Sequence, residues 1–478
     1  MKKITFLFLL LSTSLLAQNM GEIDLSNLGF NDVVKVTAIQ PDGKILVGGA
    51  FTTFNGTSQN CLIRLNPDGT KDTSFNIGNG FTGFNPGPGP AYVSVITLQP
   101  DGKILIGGNF MNFVGSCNRI ARLNVDGSRD FSFNIGNGFT NAGETLVNAI
   151  VLQPDGKILV GGDFTAYKGS SQKYLVRLNI DGTKDTTFNS AGGTFGGPNG
   201  KITCIAIAPN GHIFIGGQYT LYNNSNNTEP NLNQLTPNGD LITIYNSYLD
   251  PTCIPKTIKI LDEFVHDSTY NMNLYKILVG GENAPFLTRL HHSGDIDISF
   301  TGQFNNNVNS INFQQDGRMI FAGDFTSYNG SNMNRLIMLN QDWTINLNFD
   351  IGSGFDDSVT SVSIQEDGRI WAGGNFTTYN GILSNYVLRL KGNSVLSTND
   401  FIKDKITLYP NPTQNILNFS LPETNTATAY EIYNLLGEKL SNGNLNSNSI
   451  NVSALAKGVF MVKLITENGV LTEKFIKE

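Results

Sequence analysis

Charged residues are scarce in this 478-residue chain, and basic residues do not outnumber acidic ones. Asp, Glu, Lys and Arg make up 15% of the sequence, and 32 Lys and Arg against 39 Asp and Glu give a formal net charge of −7 at pH 7. Nucleic acids and anionic membranes are bound by clusters of Lys and Arg, because these side chains neutralise phosphate groups. We therefore expect neither of them as a partner.

Histidine and cysteine are also rare, with four of each. His291 and His292 are adjacent and would point to opposite faces of a strand, and no other His or Cys stands at zinc-binding spacing from them. No nucleophile elbow, phosphate loop or dinucleotide fingerprint occurs in a strand–helix context. The sequence thus predicts no cofactor and no catalytic residue. Calcium binding by Asp68 and Asp72 is the metal alternative, although a turn already explains both residues.

Four cysteines are too few to hold a chain of this size together by disulfides. Cys204 is predicted on the inner strand of one repeat and Cys253 just before the inner strand of the next. These two could form a disulfide after export, whereas Cys61 and Cys117 are expected to lie too far apart.

A long apolar run occurs only at the N-terminus. Ile4–Ala17 is mostly apolar, follows the basic start Met1-Lys2-Lys3, and ends in a small residue before Gln18. It is shorter than the about 20 residues that span a bilayer, and it has the pattern of a secretory signal peptide. We predict a signal peptide over residues 1–17, Sec-dependent export to the periplasm and no transmembrane segment. A membrane anchor is the alternative.

Glycine, by contrast, is abundant, and many of the 52 glycines belong to a long repeat. Gln40–Gly49 recurs almost unchanged as Gln99–Gly108 and Gln153–Gly162. Weaker copies end at Gly217, Gly281, Gly323 and Gly374. The 325 residues from Asp42 to Asp367 cover six intervals, or about 54 residues for each of the seven copies.

Each copy encodes two hairpins. Val36–Gln40 alternates as a strand, Pro41-Asp42-Gly43 has turn chemistry, and Lys44–Val47 returns as a second strand. Leu62–Phe75 repeats this plan around a second Pro-Asp-Gly turn. Four short antiparallel strands per copy predict an all-β fold, a seven-bladed β-propeller. The long period disfavours the alternative, a β-solenoid.

The two ends of the repeat region are complementary. The last copy stops at Leu388–Gly392 without a fourth strand, and Gly21–Phe30 is similar to the fourth-strand segment Gly69–Phe81. We therefore expect the N-terminal strand to complete the last blade and remove a free sheet edge. The predicted propeller domain is 18–392.

Conserved Arg and Asp positions recur in this repeat. The Arg position holds Arg64, Arg122, Arg177, Arg289 and Arg389, and the Asp position holds Asp72, Asp130, Asp185 and Asp297. An active site needs a constellation that occurs once, so we predict structural Arg–Asp pairs within the blades.

A polar ring is the candidate ligand-binding site. Aromatic residues follow each Gly-Gly pair, Phe51 and Phe54 in the first copy, and packing between blades is the default for them. The position between the glycines and the first aromatic holds Ala50, Asn109, Asp163, Gln218, Glu282, Asp324 and Asn375. We interpret this polar, aromatic-bordered loop face as a surface for a glycan or a protein, with a solvated rim as the alternative.

The C-terminal residues form a different module. Residues 393–404 are a polar linker, and residues 405–478 contain short alternating segments that predict a small β-sandwich.

Two family resemblances accompany these patterns. The Gln-Pro-Asp-Gly-Lys-Ile-Leu-Val-Gly-Gly and Arg-Leu-Asn-x-Asp-Gly motifs resemble the delta-60 repeat of bacterial secreted proteins over about residues 21–392, which implies a β-propeller and carries no catalytic residues. The C-terminal module resembles the type IX secretion system sorting domain of Bacteroidota. Its matching motif residues are Tyr409, Pro410, Asn411, Pro412, Gly437 and Gly458. This resemblance implies the type IX machinery as a partner and a secreted or outer-membrane cell-surface location.

Three functions are compatible with these features. The first is a non-catalytic binding or adhesion scaffold for a glycan or a protein. The second is a secreted polysaccharide-acting enzyme that uses Asp163 and Asp324. The third is a purely structural surface component. A glycosidase needs two carboxylates about 5–9.5 Å apart, and no pair stands out from the repeat, so we favour the scaffold.

Overall fold

The structure is a computed structural model. It describes residues 20–478 except 27, 84–89, 142–145, 190–195, 226–228, 244, 246, 268–271, 393–406, 422–426, 435–438, 446 and 467–468. The chain divides into two compact units, Met1–Ser394 and Val395–Glu478. The predicted signal peptide (1–17) and linker (393–404) lie outside the described residues. No helix among the described residues is long and apolar enough to cross a membrane.

All regular elements of the described first unit are β-strands. They are β1 (Ile23–Leu25), β2 (Val34–Ile39), β3 (Ile45–Gly49), β4 (Thr53–Phe54), β5 (Thr57–Ser58), β6 (Leu62–Leu65), β7 (Tyr92–Leu98), β8 (Ile104–Asn109), β9 (Ile120–Leu123), β10 (Phe139–Thr140), β11 (Leu146–Leu152), β12 (Ile158–Asp163), β13 (Ala166–Tyr167), β14 (Ser170–Ser171), β15 (Leu175–Leu178), β16 (Lys201–Ile207), β17 (Ile213–Gln218), β18 (Leu232–Leu235), β19 (Ile254–Asp267), β20 (Met272–Glu282), β21 (Leu287–His291), β22 (Val308–Phe313), β23 (Met319–Gly323), β24 (Ser327–Tyr328), β25 (Ser331–Asn332), β26 (Leu336–Leu339), β27 (Val359–Ile364), β28 (Ile370–Gly374), β29 (Thr378–Tyr379), β30 (Ile382–Leu383) and β31 (Val387–Leu390).

Seven main sheets in the described part of this unit share one plan, with the first strand of each repeat innermost. Their orders are β2-β3-β6, β7-β8-β9, β11-β12-β15, β16-β17-β18, β19-β20-β21, β22-β23-β26 and β27-β28-β31-β1. The inner strand of each sheet packs beside the inner strand of the next, and β27 packs beside β2. The sheets thus close into a ring, and the all-β propeller prediction is confirmed.

The Gly-Gly pair of the repeat is required by close packing. A Cβ on Gly48 would lie 2.7 Å from Val93 of the neighbouring sheet and 2.8 Å from Val36. A Cβ on Gly49 would lie 2.1 Å from the carbonyl oxygen of Val33, where the pairing of β2 with β3 shifts register. Only glycine lets the middle strand approach both neighbours this closely.

The N-terminal strand belongs to the last sheet. Strand β1 pairs antiparallel with β31, with Ile23 opposite Leu390 and Leu25 opposite Arg389. The Lys391 amide donates a 2.8 Å hydrogen bond to the Glu22 carbonyl beside this pair. The start of the propeller therefore supplies an outer strand to its end.

The second unit contains two sheets in its described residues. Its strands are β32 (Thr407–Tyr409), β33 (Ile416–Ser420), β34 (Ala427–Asn434), β35 (Lys439–Asn444), β36 (Ser449–Asn451), β37 (Gly458–Thr466) and β38 (Gly469–Lys477). The sheet orders are β32-β33-β36 and β35-β34-β37-β38. Both sheets contribute to one apolar cluster that includes Phe419, Ile432, Ile450 and Val462.

Candidate functional site

The recurring Arg and Asp residues form buried ion pairs. In each pair, Nε of an Arg on a third strand lies 2.7–2.8 Å from Oδ2 of an Asp eight residues later. The pairs are Arg64–Asp72, Arg122–Asp130, Arg177–Asp185 and Arg289–Asp297. Their side chains are at most 9% exposed, so the prediction of structural pairs is confirmed for these four blades.

Three of the four pairs are part of a larger polar contact between sheets, those of Arg64, Arg122 and Arg177. The Lys44 ammonium lies 3.0 Å from the Asp72 oxygen that Arg64 contacts. Arg64 Nη1 also donates a 2.7 Å hydrogen bond to the carbonyl of Val125, in a turn of the next sheet. Burial alone would raise the pKa of Asp72, but hydrogen bonds from Ser74, Lys44 and Arg64 hold it well below its usual value. These carboxylates are therefore charged structural acceptors at neutral pH.

Two sheets replace both members of the pair together. Sheet β16-β17-β18 carries Gln234 at the Arg position and Ile242 at the Asp position. Sheet β22-β23-β26 carries Met338 and Asn346, and Asn346 Nδ2 donates to Met338 Sδ over 3.7 Å. Because the cation and the anion are lost together, neither sheet buries an unpaired charge at these positions.

The aromatic residues that follow the Gly-Gly pair are core residues. They pack in triads with ring centroids 4.3–5.1 Å apart. The triads are Phe30–Phe51–Phe54, Phe81–Phe110–Phe113, Phe139–Phe164–Tyr167, Phe304–Phe325–Tyr328 and Phe355–Phe376–Tyr379. Each ring is at most 7% exposed. The expectation that these aromatics pack in the core is therefore confirmed, and the rings pack on each other instead of bordering the polar face.

The polar ring positions lie at the ends of the second strands, where the structure gives them different surroundings. Asp324 accepts hydrogen bonds from Asn307 at 2.8 Å, from Asn309 at 3.0 Å and from the Ser358 hydroxyl. Glu282 pairs with Lys256 at 2.7 Å. Asn109 has a buried carboxamide oxygen that finds no hydrogen-bond partner in the described chain.

The other three ring positions are less constrained. Asp163 is half-buried and accepts a 3.4 Å hydrogen bond from Asn141, whereas Gln218 and Asn375 are exposed. Asp163 and Asp324, the pair considered for an enzyme, belong to the third and sixth sheets in chain order, which are not neighbours. Since the oxygens of Asp324 already accept three hydrogen bonds, this carboxylate is a structural acceptor.

A polar cleft lies beside Asp324, and sequence reasoning missed it. The cleft has a volume of about 310 Å³ and is lined in part by Asn334, Arg335, Asp356 and Thr378. Arg335 has a φ of 72° and donates a hydrogen bond to the carbonyl of Asp324. Arg335 immediately precedes the third strand of its sheet. In all but one of the main sheets of the described chain, the residue at this position has a positive φ. These residues are Cys61, Arg119, Tyr174, Asn231, Arg335 and Tyr386.

The described residues give little support for a metal site or a reactive thiol. No three His, Cys, Asp or Glu side chains converge there in a group that could hold a metal ion. All four cysteines are free and buried, and burial raises the pKa of Cys204 and of Cys253 to about 12. Cys204 and Cys253 share one apolar cluster, and their oxidation to a disulfide stays a prediction.

Two of the sorting-motif residues, Asn411 and Gly458, contact the last strand of the second unit. Asn411 Nδ2 donates to the Lys474 carbonyl at 3.2 Å, and Asn411 Oδ1 accepts from the Ile476 amide at 2.9 Å. Tyr409 ends β32 and is 50% exposed, and Gly458 begins β37. Gly437 lies outside the described residues.

Two family models match the chain. The first, "Domain of unknown function (DUF5122) beta-propeller", matches residues 40–75, 99–133, 153–188, 208–241, 314–349 and 365–396. The second, "Secretion system C-terminal sorting domain", matches residues 407–478. Among curated proteins, none matches the chain.

Several solved structures are similar to the chain. The extracellular domain of the putative one component system BT4673 from B. thetaiotaomicron has 15% identity and a TM-score of 0.44, covering 95% of this chain and 52% of that one. The WD40 propeller domain of Doa1 has 11% identity and a TM-score of 0.45, covering 77% and 96%. PorZ, a surface component of the type IX secretion system of Porphyromonas gingivalis, has 15% identity and a TM-score of 0.28, covering 94% and 52%.

The chain spans about half the length of the first and third of these structures, 52% of each. The family matches confirm both resemblances stated from the sequence, the repeat over the propeller and the sorting domain at the C-terminus. The repeat region of the chain belongs to the DUF5122 β-propeller family, and the C-terminal sorting domain directs the protein to the cell surface or outer membrane.

Proposed function

We propose that this protein is a seven-bladed, non-catalytic binding propeller that engages a glycan or a protein through its polar loop face. The type IX secretion machinery exports it by means of the C-terminal sorting domain. One observation carries the binding proposal, the polar cleft of about 310 Å³ beside the Asp324 network.

The chemistry of this cleft suits recognition. Asp324 is fixed by Asn307, Asn309 and Ser358, which come from two adjacent sheets. Arg335 lines the cleft and is fixed by the Asp324 carbonyl. Arg335, held in this way, presents its guanidinium donors to the cleft without further ordering, which reduces the entropic cost of binding.

Binding is tested with the mature chain, residues 18–478. Isothermal titration calorimetry with laminarin, xylan, mannan and mucin measures affinity, and an assay for new reducing ends measures cleavage. We expect binding to at least one of them without new reducing ends, weakened at least tenfold by Arg335→Gln. Glu366→Gln is the matched control, because Glu366 is exposed in a turn at the other end of the last sheet.

Two outcomes contradict the proposal. New reducing ends would assign the protein to polysaccharide cleavage. Absence of heat with all four probes would favour a purely structural surface component.

A further inference from the structure

One glycine of the repeat is replaced by tryptophan in the sixth copy. The turn after the third strand ends in a residue with positive φ, which is glycine in the first five copies. These are Gly69 (85°), Gly127 (87°), Gly182 (80°), Gly239 (88°) and Gly294 (99°). Trp343 occupies the same position with a φ of 68°, and its amide bonds to Asn340 as the glycine amides bond to their equivalents. A large side chain rarely adopts this conformation, and such strain is concentrated at functional sites.

The tryptophan changes the packing of its surroundings. In the third and fourth copies, a Cβ at the turn glycine would lie 2.9 Å from Phe133 and 2.6 Å from Phe188. In the sixth copy, Trp343 meets the corresponding ring, Phe300 of the preceding copy, edge-on with centroids 4.5 Å apart. Phe300 and Trp343 are both half-buried, as Phe188 is, whereas Phe133 is 4% exposed. Trp343 therefore comes with a partly exposed aromatic pair that the described parts of the other copies lack.

A cleft of about 510 Å³ lies against this pair. Its lining includes Tyr328, Asn329 and Asp342 in addition to the two rings. Gly302, also in the lining, carries no Cβ, and one there would lie 2.6 Å from both the Phe300 ring and the Tyr328 hydroxyl. The glycine thus lets the backbone approach both side chains more closely than any other residue would allow.

The polar groups of the cleft are suited to hydroxyl groups. Asp342 Oδ1 accepts hydrogen bonds from the amide and hydroxyl of Thr344, at 3.1 and 2.6 Å, while Oδ2 has no hydrogen-bond partner among the described residues. These bonds lower the pKa of Asp342 and keep it charged. An exposed carboxylate oxygen beside an aromatic face disfavours an anionic ligand and accepts hydroxyl donors.

A cationic ligand is also disfavoured. The Arg289 guanidinium already lies 5.0 Å from the Trp343 centroid and 5.1 Å from that of Phe300, so the rings are engaged by a cation. Arg289 itself is 8% exposed and paired with Asp297, so it offers no free charge to the cleft. What remains is a neutral ligand with an apolar face and several hydroxyl groups.

We propose that this cleft binds a neutral saccharide, with the ring of one sugar unit against Trp343 and Phe300 and its hydroxyls on Asp342 and Asn329. Aromatic side chains with a few fixed polar groups are the usual composition of a small-molecule site. The site does not depend on the loop-face proposal. Trp343 follows Leu339, which pairs with Met319, whereas Asp324 follows the opposite end of the same ladder.

The test uses the mature chain and its two tryptophans. Trp371 is fully buried, so a change in tryptophan emission reports on Trp343. Cellohexaose, laminarihexaose, xylohexaose, mannohexaose and maltohexaose are titrated, with calorimetry as a second readout. We expect at least one to shift the emission in a saturable way and to release or absorb heat with the same midpoint.

Variants separate binding from packing. Trp343→Gly restores the residue of the other copies, so it should abolish the heat of binding without lowering the melting temperature. Asp342→Asn should weaken binding at least tenfold, whereas Asp126→Asn, at the equivalent turn of the second copy, should leave it unchanged. Asp324→Asn should also leave it unchanged, which separates this site from the loop face.

Three results would overturn the proposal. They are no response to any of the five hexasaccharides at 10 mM, full binding by Trp343→Gly, or a marked fall in the melting temperature of that variant. The last would show that the tryptophan serves packing alone.

Discussion

Arg389 and Asp24 are 365 positions apart in the chain, yet Arg389 Nε lies 2.5 Å from Asp24 Oδ2. In four other sheets the same Arg position pairs with an Asp eight residues later. The last copy ends before its fourth strand, and the N-terminal strand supplies the missing acid along with the missing strand. Arg389 also donates a hydrogen bond to the carbonyl of Pro67 in the first sheet. The repeated ion pair therefore contributes to ring closure.

Substitution of Asp24 should destabilise the pairing of the N-terminal strand with the last sheet. Asp24→Asn leaves Arg389, whose side chain is 5% exposed, without a carboxylate, and loss of one partner of a buried pair costs about 3–5 kcal/mol. We expect the free energy of unfolding, measured by urea denaturation, to fall by that amount. Glu22→Gln is the control, because the Glu22–Lys391 pair is exposed and such pairs contribute about 0–1 kcal/mol. Equal effects of the two variants would contradict a special role for Asp24.

The sixth copy carries the neutral residues Met338 and Asn346 in place of the Arg–Asp pair. It therefore predicts which neutral residues can replace a charged pair in another copy. Arg122→Met alone should cost about 3 kcal/mol, because Asp130 stays buried with Lys103 as its one remaining cationic partner among the described residues. Arg122→Met with Asp130→Asn reproduces Met338 and Asn346, and should recover most of that loss. A double-mutant cycle measured by urea denaturation gives the coupling energy. Additive effects of the two substitutions would show that the pair does not act as a unit.

Acid should destabilise the propeller through its buried aspartates. Burial would raise the pKa of Asp72, Asp130, Asp185 and Asp297, but hydrogen bonds and ion pairs hold each well below its usual value. An aspartate whose pKa is lowered by folding adds stability above its unfolded pKa of about 3.9, and this stability is lost as the pH falls further. We expect the free energy of unfolding to decline steadily below pH 4, and to change little on account of these groups between pH 5 and 7. A profile that is flat from pH 5 to pH 2.5 would contradict this.

The repeat made much of the propeller predictable. Alternation in Val36–Gln40, the Pro-Asp-Gly turns and the paired glycines each have a local cause, and seven similar copies add their signals. The Arg–Asp pairs were predictable for a related reason, since residues that recur at fixed spacing in several blades cannot form a unique active site. The expected aromatic border of the loop face shows the limit of this reasoning. Spacing places Phe51 and Phe54 near the loop face, but only packing against Phe30 turns both rings inward.

The candidate sites were less predictable because they depend on contacts between copies. Asp324 is held by Asn307 and Ser358, which come from two different sheets and have no fixed spacing from it. In the sequence, the turn that contains Trp343 looks like an imperfect copy of the Asp-Gly turns of the other repeats. Its importance emerges only when its positive φ and its contact with Phe300 of the preceding copy are seen together.

The sorting motif also has a structural role that can be separated from recognition. The Asn411 side chain makes two hydrogen bonds to the backbone of β38, at Lys474 and Ile476, so Asn411→Ala leaves both groups without this partner. Loss of such bonds costs about 0.5–1.5 kcal/mol each, so amide hydrogen exchange in β38 of the full chain should accelerate by roughly tenfold per 1.4 kcal/mol lost. Asn442→Ala on the exposed part of β35 is the control and should leave β38 unaffected. If export to the cell surface falls in step with β38 protection, the motif acts by holding the last strand in place. If export is lost while β38 stays protected, Asn411 is read directly by the secretion machinery.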